Sequence, residues 1–265
     1  MRYSVSTCSF YKFRIRRLLE MPREFGLEIF YEFGSQDQWE SLLSILSARG
    51  LDSFSIHAPF AFVDISAPCD EGRLYDVLRR PFKLYHRYNG EFYVLHTYGE
   101  VERPETPEHL RDCRARAADR LARFQEICAK EGVRLAAENL CAGGTPMFSE
   151  EQFLELFRRI PDLSCVVDVG HALVSGMDVS RLQKALGRRI AGYHLHNNDG
   201  LRDTHARLRE GIMDWAAFAE NAARHTPDAI GVLEYMTEID MEHYRQDAAY
   251  LDSLFPAEGS PAGEA

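Results

Sequence analysis

The 265-residue sequence predicts a single (β/α)8 TIM barrel of the α/β class. Three observations carry the prediction. Eight short apolar or alternating runs recur along the chain, longer segments with helical periodicity separate them, and ionisable side chains end the runs instead of beginning them. A length of about 250 residues is ordinary for such a barrel as one domain, and the 45% hydrophobic content supplies a large core.

The strand candidates, in order, are Tyr3 to Thr7, Leu27 to Tyr31, Ser53 to His57, Phe92 to His96, Arg134 to Glu138, Ser164 to Asp168, Gly192 to His196 and Gly231 to Glu234. Between the second and third lies QDQWESLLSILSARG, in which Trp39, Leu42, Leu43 and Leu46 fall on one helical face and Gly50 supplies a stop. The segments GRLYDVLRRPFKLYHRYNG, PEHLRDCRARAADRLARFQEICAKEG, SEEQFLELFRRI and DWAAFAENAARH read the same way, several entering through Ser, Asp or Pro or leaving through Gly. No charge block or low-complexity linker divides residues 1–255, the predicted barrel domain. The Pro-, Gly- and Ala-rich stretch PAEGSPAGEA at 256–265 reads as a disordered tail.

A formal charge of -10 disfavours nucleic acid as a partner, because such binders usually carry a basic surface that displaces counterions; bound metal would add local positive charge and leaves that route open. Cys8, Cys69, Cys113, Cys128, Cys141 and Cys165 show no Cys-x-x-Cys spacing, so reduced thiols are the simplest account. The start MRYSVSTCSFYKFRIRR lacks an apolar run after its basic residues, and no stretch approaches the roughly 18 apolar residues of a membrane span. The expectation is a cytoplasmic protein with no membrane partner, free to form a homo-oligomer.

In a barrel of this kind, side chains at the C-terminal strand ends meet at one mouth. His57, His96, Glu138, Asp168, His196 and Glu234 close six consecutive strand candidates. His171 follows in DVGHA, and Asp203 and His205 in the Asp-x-His of LRDTHARL. Imidazole nitrogens and carboxylate oxygens are ligands for divalent manganese, zinc, cobalt or iron. Taken singly, a His or Glu ending a strand is more often a hydrogen-bonded structural residue or a salt-bridge partner; independent residues have no reason to mark strand after strand, and the joint pattern predicts a metal site. The set suffices for more than one ion, with Glu138 central and suited to bridging.

His194 and His196 lie two apart, so on a strand both point into the mouth. The position nearer the strand end favours His196 as the ligand, leaving His194 to bind substrate or support the ligands, with the roles exchangeable. Glu28 and Glu32 are as consistent with a barrel layer or the surface as with substrate contact. Arg202, Arg207 and Arg209 flank the Asp-x-His loop, where a solvated loop is the commoner reading and anion recognition the rarer. Phe10, Tyr11, Phe60, Tyr98 and Tyr235 suit packing and substrate contact equally and receive no role.

The segments IHAPF, VLHTYG, AAENL, VVDVGHA, YHLHNND, DTH and VLEY, in that order, resemble the xylose-isomerase-like barrel superfamily, which includes sugar and sugar-phosphate isomerases and epimerases together with endonuclease IV. The resemblance runs from about Tyr3 to about Phe255. In its isomerase and epimerase branch it implies one divalent ion, such as Mn, Zn, Co or Mg, held by Glu138, Asp168, His196 and Glu234, with the two glutamates exchanging protons with a sugar or sugar phosphate through an enediolate. In its endonuclease IV branch it implies three zinc ions, the added ligands falling on His57, His96, His171, Asp203 and His205, and hydrolysis of a phosphodiester. The acidic charge, the lack of basic and aromatic interleaving in the loops, and the interval of seven residues from His196 to Asp203 favour the small-molecule branch.

Overall fold

The structure is a computed structural model and describes residues 1–10, 17–31, 36–60, 63–99, 104–141, 146–236 and 239–256. Eight parallel strands close a barrel in sequence order: β1 (Arg2–Ser6), β2 (Gly26–Phe30), β3 (Phe54–His57), β4 (Tyr93–His96), β5 (Leu135–Glu138), β6 (Ser164–Asp168), β7 (Ile190–Leu195) and β8 (Ile230–Leu233), with β8 returning to pair with β1. All eight predicted strands are present, most displaced by a residue or so at their ends. Two of these differences bear on the site: β7 stops at Leu195 and β8 at Leu233, so His196 and Glu234 lie just beyond their strands instead of closing them. After β7 the backbone leaves the sheet because Asn197 pairs with Ala206 in an isolated antiparallel bridge.

Around the barrel run α1 (Gln36–Arg49), α2 (Glu71–Arg79), α3 (Phe82–Arg87), α4 (Pro107–Glu131), α5 (Glu150–Arg159), α6 (Val169–Ser175), α7 (Val179–Leu186), α8 (Trp215–His225) and α9 (Met241–Asp252). The predicted face of Trp39, Leu42, Leu43 and Leu46 is buried in the core. The segment read as one helix across residues 72–90 is two, because Pro81 lacks the N–H that an uninterrupted helix needs. Helix α4 starts at a Thr106 cap and Pro107 and ends at Gly132 in the left-handed conformation, φ 69°; α5 opens with a capping box between Ser149 and Gln152. Among the described residues, no helix is long and apolar enough to cross a membrane. The tail from residue 257 onward, Tyr11 and Glu32 lie outside the described residues.

The barrel interior has two unlike halves. On the β4 to β8 side it is apolar, with Phe92, Val94, Ala136, Val166, Ala191, Ile230 and Val232 forming their own buried cluster. On the β1 to β3 side it is lined by Ser4, Ser6, Gly26, Glu28, Ser53 and Ser55, as the two-residue strand period dictates. The hydroxyls of Ser4 and Ser53 meet at 2.7 Å across the strand between them. A side chain on Gly26 would stand in that path, its Cβ 1.9 Å from Ser53 Oγ, 2.5 Å from Ser4 Oγ and 2.7 Å from the Ser53 carbonyl oxygen. Gly26→Ala is therefore expected to destabilise the protein by about 1–3 kcal/mol in chemical denaturation, the usual range for an overpacked core. Adding Ser53→Ala is expected to recover only part of that loss, because the carbonyl remains in place.

Candidate metal centre

The nine predicted ligands and His194 converge at the C-terminal mouth, in overlapping groups of three whose ligand atoms lie within 4.8 Å of one another. The first group is His57, His96 and Glu138. His57 Nδ1 sits 2.8 Å from the Ala58 carbonyl and donates to it, which turns Nε2 toward His96 Nε2 at 3.0 Å and Glu138 Oε2 at 3.2 Å. Phe30 stacks on the His57 ring with centroids 4.0 Å apart and fixes its plane.

Glu138 faces the second group with its other oxygen. Oε1 lies 3.3 Å from His194 Nδ1 and 3.3 Å from His171 Nδ1. His194 Nδ1 is also 3.3 Å from Glu234 Oε2 and 3.6 Å from Asp168 Oδ2. The nitrogen that looks at three carboxylates is thus His194's. The β6–β7 register shifts where Cys165 pairs with Ile190 and Val166 with Gly192, leaving Ala191 of β7 as the extra residue, and this brings His194 opposite Asp168. His196 instead reaches Asp168 with Nε2 at 3.0 Å and lies 3.7 Å from Asp203 through Nδ1. Its ring stacks on His205 at 3.9 Å. It fits there because residue 170 is glycine, where a Cβ would come within 2.0 Å of the His196 ring.

The third group is His171, Asp203 and His205. Asp203 Oδ2 is 2.9 Å from His205 Nε2 and 3.3 Å from His171 Nε2. His205 has φ 44°, a left-handed conformation that is costly for a residue with a side chain. Two restraints hold it: the Asn197–Ala206 bridge on one side, and on the other Arg207, whose guanidinium makes two 2.9 Å bonds to the buried carboxylate of Asp247 in α9. Asp247 also accepts from the Tyr235 hydroxyl at 2.9 Å, one residue beyond Glu234. Arg207 is thereby committed inside the fold, Arg209 lies over the Tyr250 ring and Arg202 is exposed.

Several supports were absent from the sequence reading. Asn139 pairs its amide with both backbone groups of Asp168, donating to the carbonyl at 2.9 Å and accepting from the N–H at 2.8 Å. Asp168 caps α6 through a 2.6 Å bond from the His171 N–H. Ser6 donates to Glu234 Oε1 at 3.0 Å, which leaves Oε2 toward His194. Ser6 ends β1 just as His57, His96, Glu138 and Asp168 end their strands, the one signal that would have found it. Tyr98 and Tyr235 spend their hydroxyls on the Leu140 carbonyl and Asp247, and Phe10 is buried in the core. Above the groups opens a cavity of about 270 Å³, whose apolar wall includes Phe30, Phe60, Leu140 and Met236. Burial and Glu234 push the Cys8 thiol well up, so it lines this cavity as a neutral group.

Electrostatics explains how so many carboxylates stay buried. Burial alone raises the Glu138 carboxyl, yet His194, His96 and His171 outweigh it and hold Glu138 well below the usual carboxylate range. Asp168 is depressed against burial by His171 and His196. Burial lowers the imidazoles, and the acids reverse this for His171, raised well up by Asp168 and Asp203, and for His194, raised by Glu234, Glu138 and Glu28. His96, for which burial dominates, is lowered. Even so, His194 Nδ1, His196 Nδ1 and Asp203 Oδ1 are buried without a hydrogen-bond partner among the described residues. His196 Nδ1 and Asp203 Oδ1 face each other at 3.7 Å and His194 Nδ1 faces three carboxylates, donor sets that suit a divalent cation.

The shifts set a stability window for the metal-free chain. Imidazoles raised in the fold contribute stability that is full below their unfolded value of about 6.5 and is lost as pH rises through the folded one; depressed carboxylates contribute above about 4 and lose it as pH falls. Melting temperature in chelator is therefore expected to peak between about pH 4.5 and 6.5 and to decline toward alkaline pH. A maximum above pH 8 would contradict this charge balance.

No curated protein matches the chain in sequence. In fold it is similar to a D-tagatose 3-epimerase-like protein (TM-score 0.77, 18% identity, 96% of this chain and 97% of that one). It is similar also to a protein from Thermus thermophilus soaked with ZnCl2 (0.71, 19%, 100% of each), and to an L-ribulose 3-epimerase (0.68, 19%, 94% and 86%). At these identities the likeness is one of fold. The family described as xylose isomerase-like TIM barrel matches residues 16–254, and with the closed eight-stranded barrel already established, the chain belongs to that family.

Proposed function

We propose that the protein is a divalent-metal-dependent isomerase or epimerase of a small sugar or sugar phosphate. The observation that carries this reading is the convergence of Glu138 from β5 and Glu234 from beyond β8 on one point, each 3.3 Å from His194 Nδ1. Two carboxylates approaching a common point from different sides are what proton removal and return at a carbon beside a carbonyl demand. The cavity is near the lower end of the roughly 300–1,000 Å³ usual for small-molecule sites, which suits a monosaccharide better than a nucleic-acid duplex. The D-tagatose 3-epimerase-like protein and L-ribulose 3-epimerase of similar fold point the same way.

Glu138, Asp168, Glu234 and a histidine would hold the ion, and the geometry favours His194 for that place over His196. When bound, the ion supplies Lewis-acid polarisation of neighbouring sugar oxygens. The chain's own groups do the rest. Glu138 is kept ionised and would act as the base, and Ser6, donating to Glu234 Oε1, leaves Oε2 directed at the same point as Glu138. The wall of Phe30, Phe60, Leu140 and Met236 limits water around them.

A second reading, a multi-metal phosphodiester hydrolase, is favoured by the two further groups, His57 with His96 and His171 with Asp203 and His205, each assembled around a carboxylate. Metal analysis of the purified protein separates the two. One ion per chain, with solvent deuterium entering the carbon next to a ketose carbonyl, supports the isomerase; two or three ions and phosphodiester turnover support the hydrolase. Glu138→Gln is expected to abolish either activity, and retained turnover would overturn the assignment. His205→Ala is expected to have a modest effect on a one-metal isomerase and to cause near-complete loss in a hydrolase.

A further inference from the structure

Below the ligand groups, on the polar side of the barrel interior, Glu28 is wholly buried on β2. Its Oε2 accepts from Ser55 Oγ at 2.8 Å. Its Oε1 lies 2.9 Å from His194 Nε2, an ion-pair separation without the alignment of a full hydrogen bond, and both side chains are 0% exposed. A carboxylate sealed from water is costly, and an apolar residue would fill the same layer without that cost. The other face of the same imidazole is the Nδ1 that looks at Glu138, Glu234 and Asp168. The two nitrogens of a histidine are coupled: a carboxylate partner on one fixes the ring's orientation and tautomer and makes the other a better donor.

We propose that Glu28 is a positioning residue of this centre, holding the Nε2 edge of His194 so that Nδ1 presents its lone pair to a cation among Glu138, Asp168 and Glu234. Ser55 is the second point of support, anchoring the carboxylate from the adjacent strand, where it is in register with Glu28. Ser6, in register with Glu28 on the other side, orients Glu234, so the two buried hydroxyls brace the centre from below. Glu28 does not line the cavity; its effect passes through the imidazole. This inference rests on the metal reading above.

The test is Co²⁺ binding by the purified full-length chain, measured by chelator competition and by the visible spectrum of the bound ion. Glu28→Gln, which keeps an acceptor and loses the charge, is expected to weaken one Co²⁺ site by about tenfold. Glu28→Leu combined with Ser55→Ala, which removes the partner and its anchor together, is expected to weaken it by about 100-fold, the range for lost supports of a metal-binding histidine. In a His194→Ala background, Glu28→Gln is expected to have no further effect, a non-additivity that general loosening of the core would not produce. Equal Co²⁺ affinity and spectra in wild type and Glu28→Gln would overturn the proposal while leaving the metal reading intact. Additive losses in the His194→Ala background would also overturn it, and would reduce Glu28 to a packing role. A wild-type chain that takes up no Co²⁺ would overturn both.

Discussion

The mouth of this barrel depends on the interaction between the Glu138 carboxylate and the imidazoles around it. Glu138 is 1% exposed and divides its oxygens, Oε2 toward His57 and His96 and Oε1 toward His171 and His194. An ionised carboxylate in such a place is stable only when positive charge or hydrogen-bond donors surround it. The same demand repeats at Asp168, Asp203 and Glu234, each facing histidines from other strands or loops. The arrangement is self-consistent: the acids raise His171 and His194, and the histidines hold Glu138 and Asp168 well below the usual carboxylate range. Removing one member leaves its partners as buried, uncompensated charges.

That charge cluster could not rest on a uniformly apolar floor. The apolar half of the interior, from Phe92 to Val232, packs beneath the ionisable groups of β4 to β8. The serine-lined half supplies the hydroxyls that Glu28 and Glu234 need. Gly26 makes room for the Ser4 to Ser53 contact that ties this half together across a strand. Interior polarity in this barrel is therefore placed where buried acids require it, and packing density is kept by small residues there and large ones opposite.

Much of this was legible in the residue order. Strands showed themselves as apolar runs, and His57, His96, Glu138 and Asp168 terminate theirs as expected, because a parallel barrel gathers all strand ends at one rim. The choice between His194 and His196 was not legible. Both positions share a face by the two-residue period, and what separates them is the β6–β7 register shift and the Asn197–Ala206 bridge, neither of which has a local signature. The division of one helical segment at Pro81 was legible in principle, since proline there removes a needed donor. Asn139, Ser6 and Asp247 stayed hidden because their partners lie tens or hundreds of residues away, and Asn, Ser and Asp are common in any loop or turn.

Asp247 gives the outermost layer of the molecule a hand in the innermost. One carboxylate on α9 grips Arg207, two positions after His205, and Tyr235, one position after Glu234. The loop carrying His205 and the segment just past β8 carrying Glu234 thus share a single mechanical anchor. A shift of that helix would tug both rims of the mouth in concert, so substitutions on its outer flank would change the reach of His205 and Glu234 without touching either.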